Sequence, residues 1–200
     1  YADTLQLRIN GTVTGNGVVG AAGGGDDNAF LTIANTLQLT GTAAFALTRQ
    51  TVDVDTNANG VADLLDASVT GLALDVTNIG VNITGVASLT VSGQLAVATL
   101  TKSGEARSWY AGKMGAVTVS GALVDPLKSA LELTGTLTID HLDYNGATTG
   151  TARLDWATAF DLNGDGKQDA KDVLDPGSEL ASPVALAIDY ADTLQLKLNG

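Results

Sequence analysis

Apolar and polar residues alternate along most of this chain. Leu5-Gln6-Leu7-Arg8-Ile9 sets the pattern, and it returns at Leu37–Leu39, Val81–Ile83, Leu89–Val91, Val117–Val119, Leu131–Leu133 and Leu137–Ile139. A period of two puts every second side chain on one face, so these segments predict half-buried β-strands. An apolar-x-apolar-x-Gly ending recurs among them, at Gly41, Gly85, Gly135 and Gly200. Glycine at a strand ending predicts a bend, a bulge or a close backbone approach. Three of these endings follow an apolar-Asp pair: Leu74-Asp75, Val124-Asp125 and Ile188-Asp189. Turn capping is the expected role of those aspartates. The alternation breaks at Val61–Ala67 and Gln168–Leu174, which read as short helical turns. Gly20–Asn28 reads as a glycine-rich loop with a solvated tip at Asp26-Asp27-Asn28. Thr101–Gly115 reads as a polar insertion.

A longer recurrence overlies this pattern. Tyr1–Gly11 reads YADTLQLRING and Tyr190–Gly200 reads YADTLQLKLNG, identical at nine of eleven positions. The two exchanges, Arg8 for Lys197 and Ile9 for Leu198, keep charge and volume. The expectation is a tandem repeat over residues 1–189, made of four degenerate β units ending near Gly41, Gly85, Gly135 and Gly200. Residues 190–200 are then the first strand of a following repeat, in the place Tyr1–Gly11 holds in this one. The expected fold is all-β and elongated, a β-solenoid or stacked-strand rod with short helical turns after two polar loops. Tandem β-sandwiches are the alternative.

Composition narrows the function. The chain is 44% hydrophobic but only 4% aromatic, with a net charge of −12 and no cysteine. The hydrophobic share suffices for a core. The Lys and Arg are scattered and form no patch, so nucleic acid and anionic membrane surfaces are poor partners. Without cysteine there are no disulfides, thiolate metal sites or cysteine nucleophiles. An acidic surface with clustered aspartate suits divalent cations. No signal-peptide pattern and no apolar run of membrane-spanning length is present.

Two loops carry the clearest chemistry. The first contains Asp55, Asn57, Asn59, Gly60, Val61, Asp63 and Asp66. The second contains Asp161, Asn163, Asp165, Gly166, Lys167, Asp169 and Asp172. Both fit D-x-N-x-[DN]-G-x-x-D-x-x-D. Calcium takes six to eight hard oxygen ligands on a flexible frame. Side chains at positions 1, 3 and 5 converge as the loop curls, and glycine at position 6 allows the sharp turn. Position 7, Val61 or Lys167, offers its carbonyl, and positions 9 and 12 close the shell. Ca²⁺ is therefore the expected cofactor, and an ordinary Asn/Asp-rich turn is the plain alternative. The loops resemble those of dockerin modules and other EF-hand-like bacterial repeats over about twelve residues each. Asp stands at position 12, where EF-hands usually carry a bidentate Glu.

No nucleophile, zinc or phosphate-loop signature is present, so no enzyme is expected. His141, the single histidine, reads as a surface residue near a turn. Lys102, Arg107, Lys113, Trp109 and Tyr110 gather in one insertion and could form a sugar platform; the simpler reading of the two aromatics is a contact between neighbouring repeats. Rows such as Thr12–Thr14 and Thr136–Thr138 read first as good strand residues on a solvated face. They also leave open a flat ice-binding ladder. Asn10 and Asn82 match the N-glycosylation sequon. Segments such as Leu72–Thr99 resemble very large repetitive surface or secreted proteins of bacteria. That resemblance implies an extracellular adhesin, sheath or matrix fibre made rigid by calcium. The expected function is a structural repeat of a giant extracellular calcium-binding filament, stalk or matrix fibre. Its partners would be neighbouring repeats or subunits, other filaments or surface glycans, with no nucleic acid and no membrane insertion. The alternatives are an adhesion module for glycan or ice and a strand-exchanging pilus subunit.

Overall fold

The computed structural model describes residues 5–15, 31–33, 37–83, 87–123 and 134–200. Eight strands form one antiparallel sheet: β1 (Leu5–Gly15), β2 (Leu31–Ile33), β3 (Leu37–Val54), β4 (Leu64–Ile83), β5 (Ala87–Thr101), β6 (Ser108–Leu123), β7 (Thr134–Ala147) and β8 (Leu196–Asn199). The order is β1-β3-β4-β5-β6-β7-β8, with β2 paired to β3. The described residues are thus all-β, and among them the sheet is open rather than closed on itself. The strands predicted at Leu5, Leu37, Val81, Leu89, Val117 and Leu137 all lie in this sheet. Leu131–Leu133, Val124-Asp125, Gly85 and Gly20–Asn28 fall outside the described residues.

Several strands run far beyond the usual five or six residues, β4 to 20. A line of irregularities crosses them. Gly41, Asn78, Gly93 and Ala116 have positive φ on the successive strands β3 to β6. The register shifts there between Thr40 and Thr42, Val76 and Ile79, and Ser92 and Gln94. Extra residues on β4 and β6 are bulges, which raise local twist and bend the strand. Gly41 is required opposite one of them, because a Cβ would lie 2.6 Å from the Asn78 carbonyl oxygen. This is the close backbone approach expected of that glycine.

Residues 148–195 fold back over one face of the sheet with almost no regular structure. Their one helical element is a 3-10 turn at Pro176–Glu179, held by Asp175, whose carboxylate accepts from the Gly177 and Leu186 N–H groups. The core lies between this segment and the sheet. Leu154, Trp156, Phe160 and Ile188 pack there on Val54, Val69, Leu100 and Trp109, all essentially fully buried. Trp156 donates its indole N–H to Asn145, which in turn donates to the Leu154 and Ala191 carbonyls. The opposite face has no such cover among the described residues, and Leu7, Ile9, Tyr144, Leu196 and Leu198 are exposed on it. Among the described residues no helix is long and apolar enough to cross a membrane.

Three expectations are corrected here. Val61–Ala67 is not a helical turn: Leu64 pairs with Val54, and the chain enters β4 at once. Gln168–Leu174 has one hydrogen-bonded turn, in which the Asp172 N–H donates to the Asp169 carbonyl, and then a bridge from Leu174 to Ile188, with no helix. The pairing of Leu64 with Val54 and of Leu174 with Ile188 draws each segment into extended structure before a helix can build. The polar insertion shrinks to residues 102–107, because Ser108–Gly115 belongs to β6 and Trp109 is 1% exposed.

Candidate metal centre

Both Asp/Asn loops sit at the same end of the sheet. Val54 ends β3 and Phe160 lies in the covering segment, and the two form an antiparallel bridge. The next residues are Asp55 and Asp161, so the loops start side by side. The Asp55 N–H donates to the Ala159 carbonyl at 2.9 Å. A cleft between the loops is lined by Asp53, Asp66, Asp161, Gly164, Gly166 and Gln168.

The two loops share a backbone. Position 6 is left-handed in both, with φ 82° at Gly60 and 81° at Gly166. So is position 4, with φ 56° at Ala58 and 76° at Gly164. This curl turns amide groups toward the first aspartate. The Gly60 N–H donates to Asp55 and the Gly166 N–H to Asp161. Position 5 caps position 7 in each: Val61 N–H donates to Asn59 and Lys167 N–H to Asp165.

They differ in how they close. In the second loop, Asp172 at position 12 turns back beneath the loop. One of its oxygens accepts from the Leu162 and Asn163 N–H groups at 2.9 and 2.7 Å. The other is buried with no hydrogen-bond partner, on a side chain 2% exposed. Carboxylate oxygens of Asp161, Asp165 and Asp172 lie within 4.8 Å of one another. Two oxygens on a single calcium ion are at most about 5 Å apart, given bonds of 2.3–2.6 Å, so these three fit one ion. An unpaired buried carboxylate oxygen is costly unless a cation or donor meets it. Asn163 at position 3 accepts from the Asp165 N–H, and Asp169 at position 9 turns away to the Lys171 N–H and ammonium.

In the first loop position 9 does the closing. Asp63 accepts from the Thr56 N–H, the Thr56 hydroxyl and the Asn57 amide at 2.7–3.1 Å. Burial pushes the Asp63 carboxyl up, but these hydrogen bonds together outweigh it and hold the carboxyl below its ordinary 3.8. Asp66 lies already in β4, exposed, and its N–H donates to Asp53. Asp55 and Asp63 are thus the acids this loop turns inward, and Asp66 faces the cleft.

A second polar group lies on the covered face of the sheet. His141 lies in β7 and not near a turn, and its ring contacts Asp143, which is 5% exposed. Tyr190 lies beside Asp143 and donates to the Gly112 carbonyl. Burial first, and the Asp143 charge second, push the Tyr190 phenol above its ordinary 10.0. Lys113 reaches the Ala187 carbonyl and Asp189 and stands 5.5 Å from the centre of the Tyr190 ring. The i, i+2 spacing of His141 and Asp143 on a strand was the available signal. The sugar platform is not assembled: Trp109 is in the core, donating to the Ala152 carbonyl, and only Tyr110 is exposed.

The chain matches no protein-family model, no curated protein and no solved structure.

Proposed function

We propose that this chain is a structural repeat of an extracellular filament, stalk or matrix fibre, stapled by calcium. The observation that carries this reading is the meeting of Asp161, Asp165 and Asp172, with the second Asp172 oxygen buried and unpartnered. An ion there would tie the two ends of the 161–172 loop together, next to the bridge by which Phe160 joins Val54 at the end of the sheet. It would also offset part of the −12 net charge. The covering segment has few backbone ladders of its own, so its order rests on packing and on such ties. Calcium is plentiful outside cells, and binding to the folded state alone would add stability by mass action, about 2.7 kcal/mol at one hundred times the dissociation constant. The recurrence of Tyr1–Gly11 at Tyr190–Gly200 supports the repeat part of the reading.

Thermal unfolding followed by circular dichroism, in calcium, in magnesium and in excess chelator, tests it. The expected result is a melting temperature raised by calcium and restored by calcium alone after chelation. Equal melting in calcium and chelator would sink the staple, leaving both loops as ordinary turns.

A further inference from the structure

The two outer strands of the sheet come from the recurring segment, identical at nine of eleven positions. Seven strands lie on the path from β1 to β8, all antiparallel neighbours, so six steps separate its ends and β1 and β8 point the same way. They also show the same face. Ile9 lies in a cross-strand row with Leu47, Leu72, Val97 and Tyr144 that ends at Leu196. Leu198 opens the adjacent row, through Leu142, Met114, Leu95, Leu74 and Phe45, on that face. Direct partners in such rows share a face. Leu7 and Ile9 and their counterparts Leu196 and Leu198 therefore point to one side of the sheet. With direction and face equal, the edge by which β1 pairs with β3 is the edge that β8 leaves unpaired among the described residues.

The preserved residues are those that β1 uses. Arg8 forms an ion pair with Glu179, and the Asn10 amide donates to the Glu179 carbonyl. Gly11 leaves room for the Phe45 ring, which a Cβ would approach to 3.1 Å. The counterparts in β8 are Lys197, Asn199 and Gly200. In this repeat β8 is placed against β7 and not against β3, so these contacts are not what Lys197 and Asn199 serve here, while Gly200 allows a close approach to the Thr138 carbonyl of β7.

We propose that β8 is a shared strand, whose free edge takes the β3 counterpart of a following copy of this repeat. Successive copies then extend one antiparallel sheet, with Leu198 opposite the next Leu47 and Lys197 beside the next Glu179. Six strands per copy advance the sheet by about 29 Å at a strand spacing of about 4.8 Å. Leu7 pairs with Arg49, whereas its counterpart Leu196 stands in the Leu47 row, one row further on. Each copy is therefore staggered by two residues, about 7 Å along the strands. The open edges, a liability in an isolated sheet, become the joints. This rests on the repeat part of the proposed function and is independent of calcium.

The test uses the 200-residue chain and the same chain lengthened by a second copy of residues 12–200, each in calcium and in chelator. Solution scattering should give one rod cross-section and about 29 Å of added length. Cysteine pairs, introduced into a chain that has none, report both edges of the shared strand. Leu196→Cys with Tyr144→Cys reads the β7 edge; Leu198→Cys with Leu47→Cys of the added copy reads the β3 edge. Directly opposite strand residues lie within disulfide reach. Both bonds forming in one molecule supports the shared strand. One bond forming only at the expense of the other, or two globules on a flexible joint, overturns it. Should the cysteine variants fail to fold, the added length of the unmodified lengthened chain decides. A rod in chelator as well as in calcium would separate this proposal from the calcium staple.

Discussion

The loops that begin at Asp55 and Asp161 have the same spacing, the same left-handed positions 4 and 6, and the same cap from position 5 to position 7. They part at their exits. After the first loop the chain enters β4 at Leu64, held by the pairing with Val54. Residue 66 is carried off along the strand, and position 9 is the last carboxylate able to turn back. After the second loop no strand begins, so residue 172 folds under and buries its carboxylate. A ligand motif thus fixes which oxygens are offered, and the element that follows decides which arrive.

The largest test of this comparison removes the packing beneath it. Phe160 is 1% exposed and meets Trp156 in a tilted contact, ring centres 5.7 Å apart. Phe160→Ala should cost about 3–5 kcal/mol in urea denaturation, and a cost under about 1 kcal/mol would mean that the covering segment is not held as described. Next comes Asp172→Asn. It should remove the calcium gain of about 2.7 kcal/mol at saturating ion, while Asp66→Asn should leave that gain intact. An equal loss in both would make the different exits irrelevant.

A gain is expected from Asn59→Asp, which supplies the carboxylate that the first loop lacks beside Asp55 and Asp63. Calcium binding there should tighten about tenfold, or about 1.4 kcal/mol, read by titration calorimetry. Unchanged heats would point to strand entry, and not ligand charge, as the obstacle. A pH series separates the closing acids. The folded Asp63 lies below its ordinary 3.8, so its contribution is full above that value and is lost as pH falls through the lowered one. In Asp63→Asn the acid limb of stability against pH should flatten; an unaltered limb would count against these hydrogen bonds. The smallest effect is at Ala58, where an L-residue occupies φ 56° and the second loop has Gly164. Ala58→Gly should gain up to about 1 kcal/mol in thermal unfolding.

Much of the sheet could be read from alternation. A segment such as Leu137-Thr138-Ile139 announces a strand because only an extended chain puts its apolar side chains on one face. Alternation did not give strand length, since β4 runs across the shift between Val76 and Ile79 where the period slips. Trp109 was misplaced because the polar residues before it, Lys102 to Arg107, suggested a continuing loop. Residues 148–195 have no period at all, although Trp156, Phe160 and Ile188 supply much of the core. A segment held by side-chain anchors and isolated bridges leaves no repeat in its sequence.

The sequence alone determined that the chain is β-rich, that one strand recurs after 189 residues, and that two loops offer oxygen ligands at matching spacing. These are local properties, set by side-chain alternation, glycine positions and carboxylate spacing. The tertiary structure decided the open sheet, the face that is covered, and the presence of the twin strands at opposite edges with the same direction. It also decided that Asp172 turns inward and Asp66 does not. Each of these depends on contacts between residues far apart in the chain, and those are settled only when the whole sheet and its covering segment pack together.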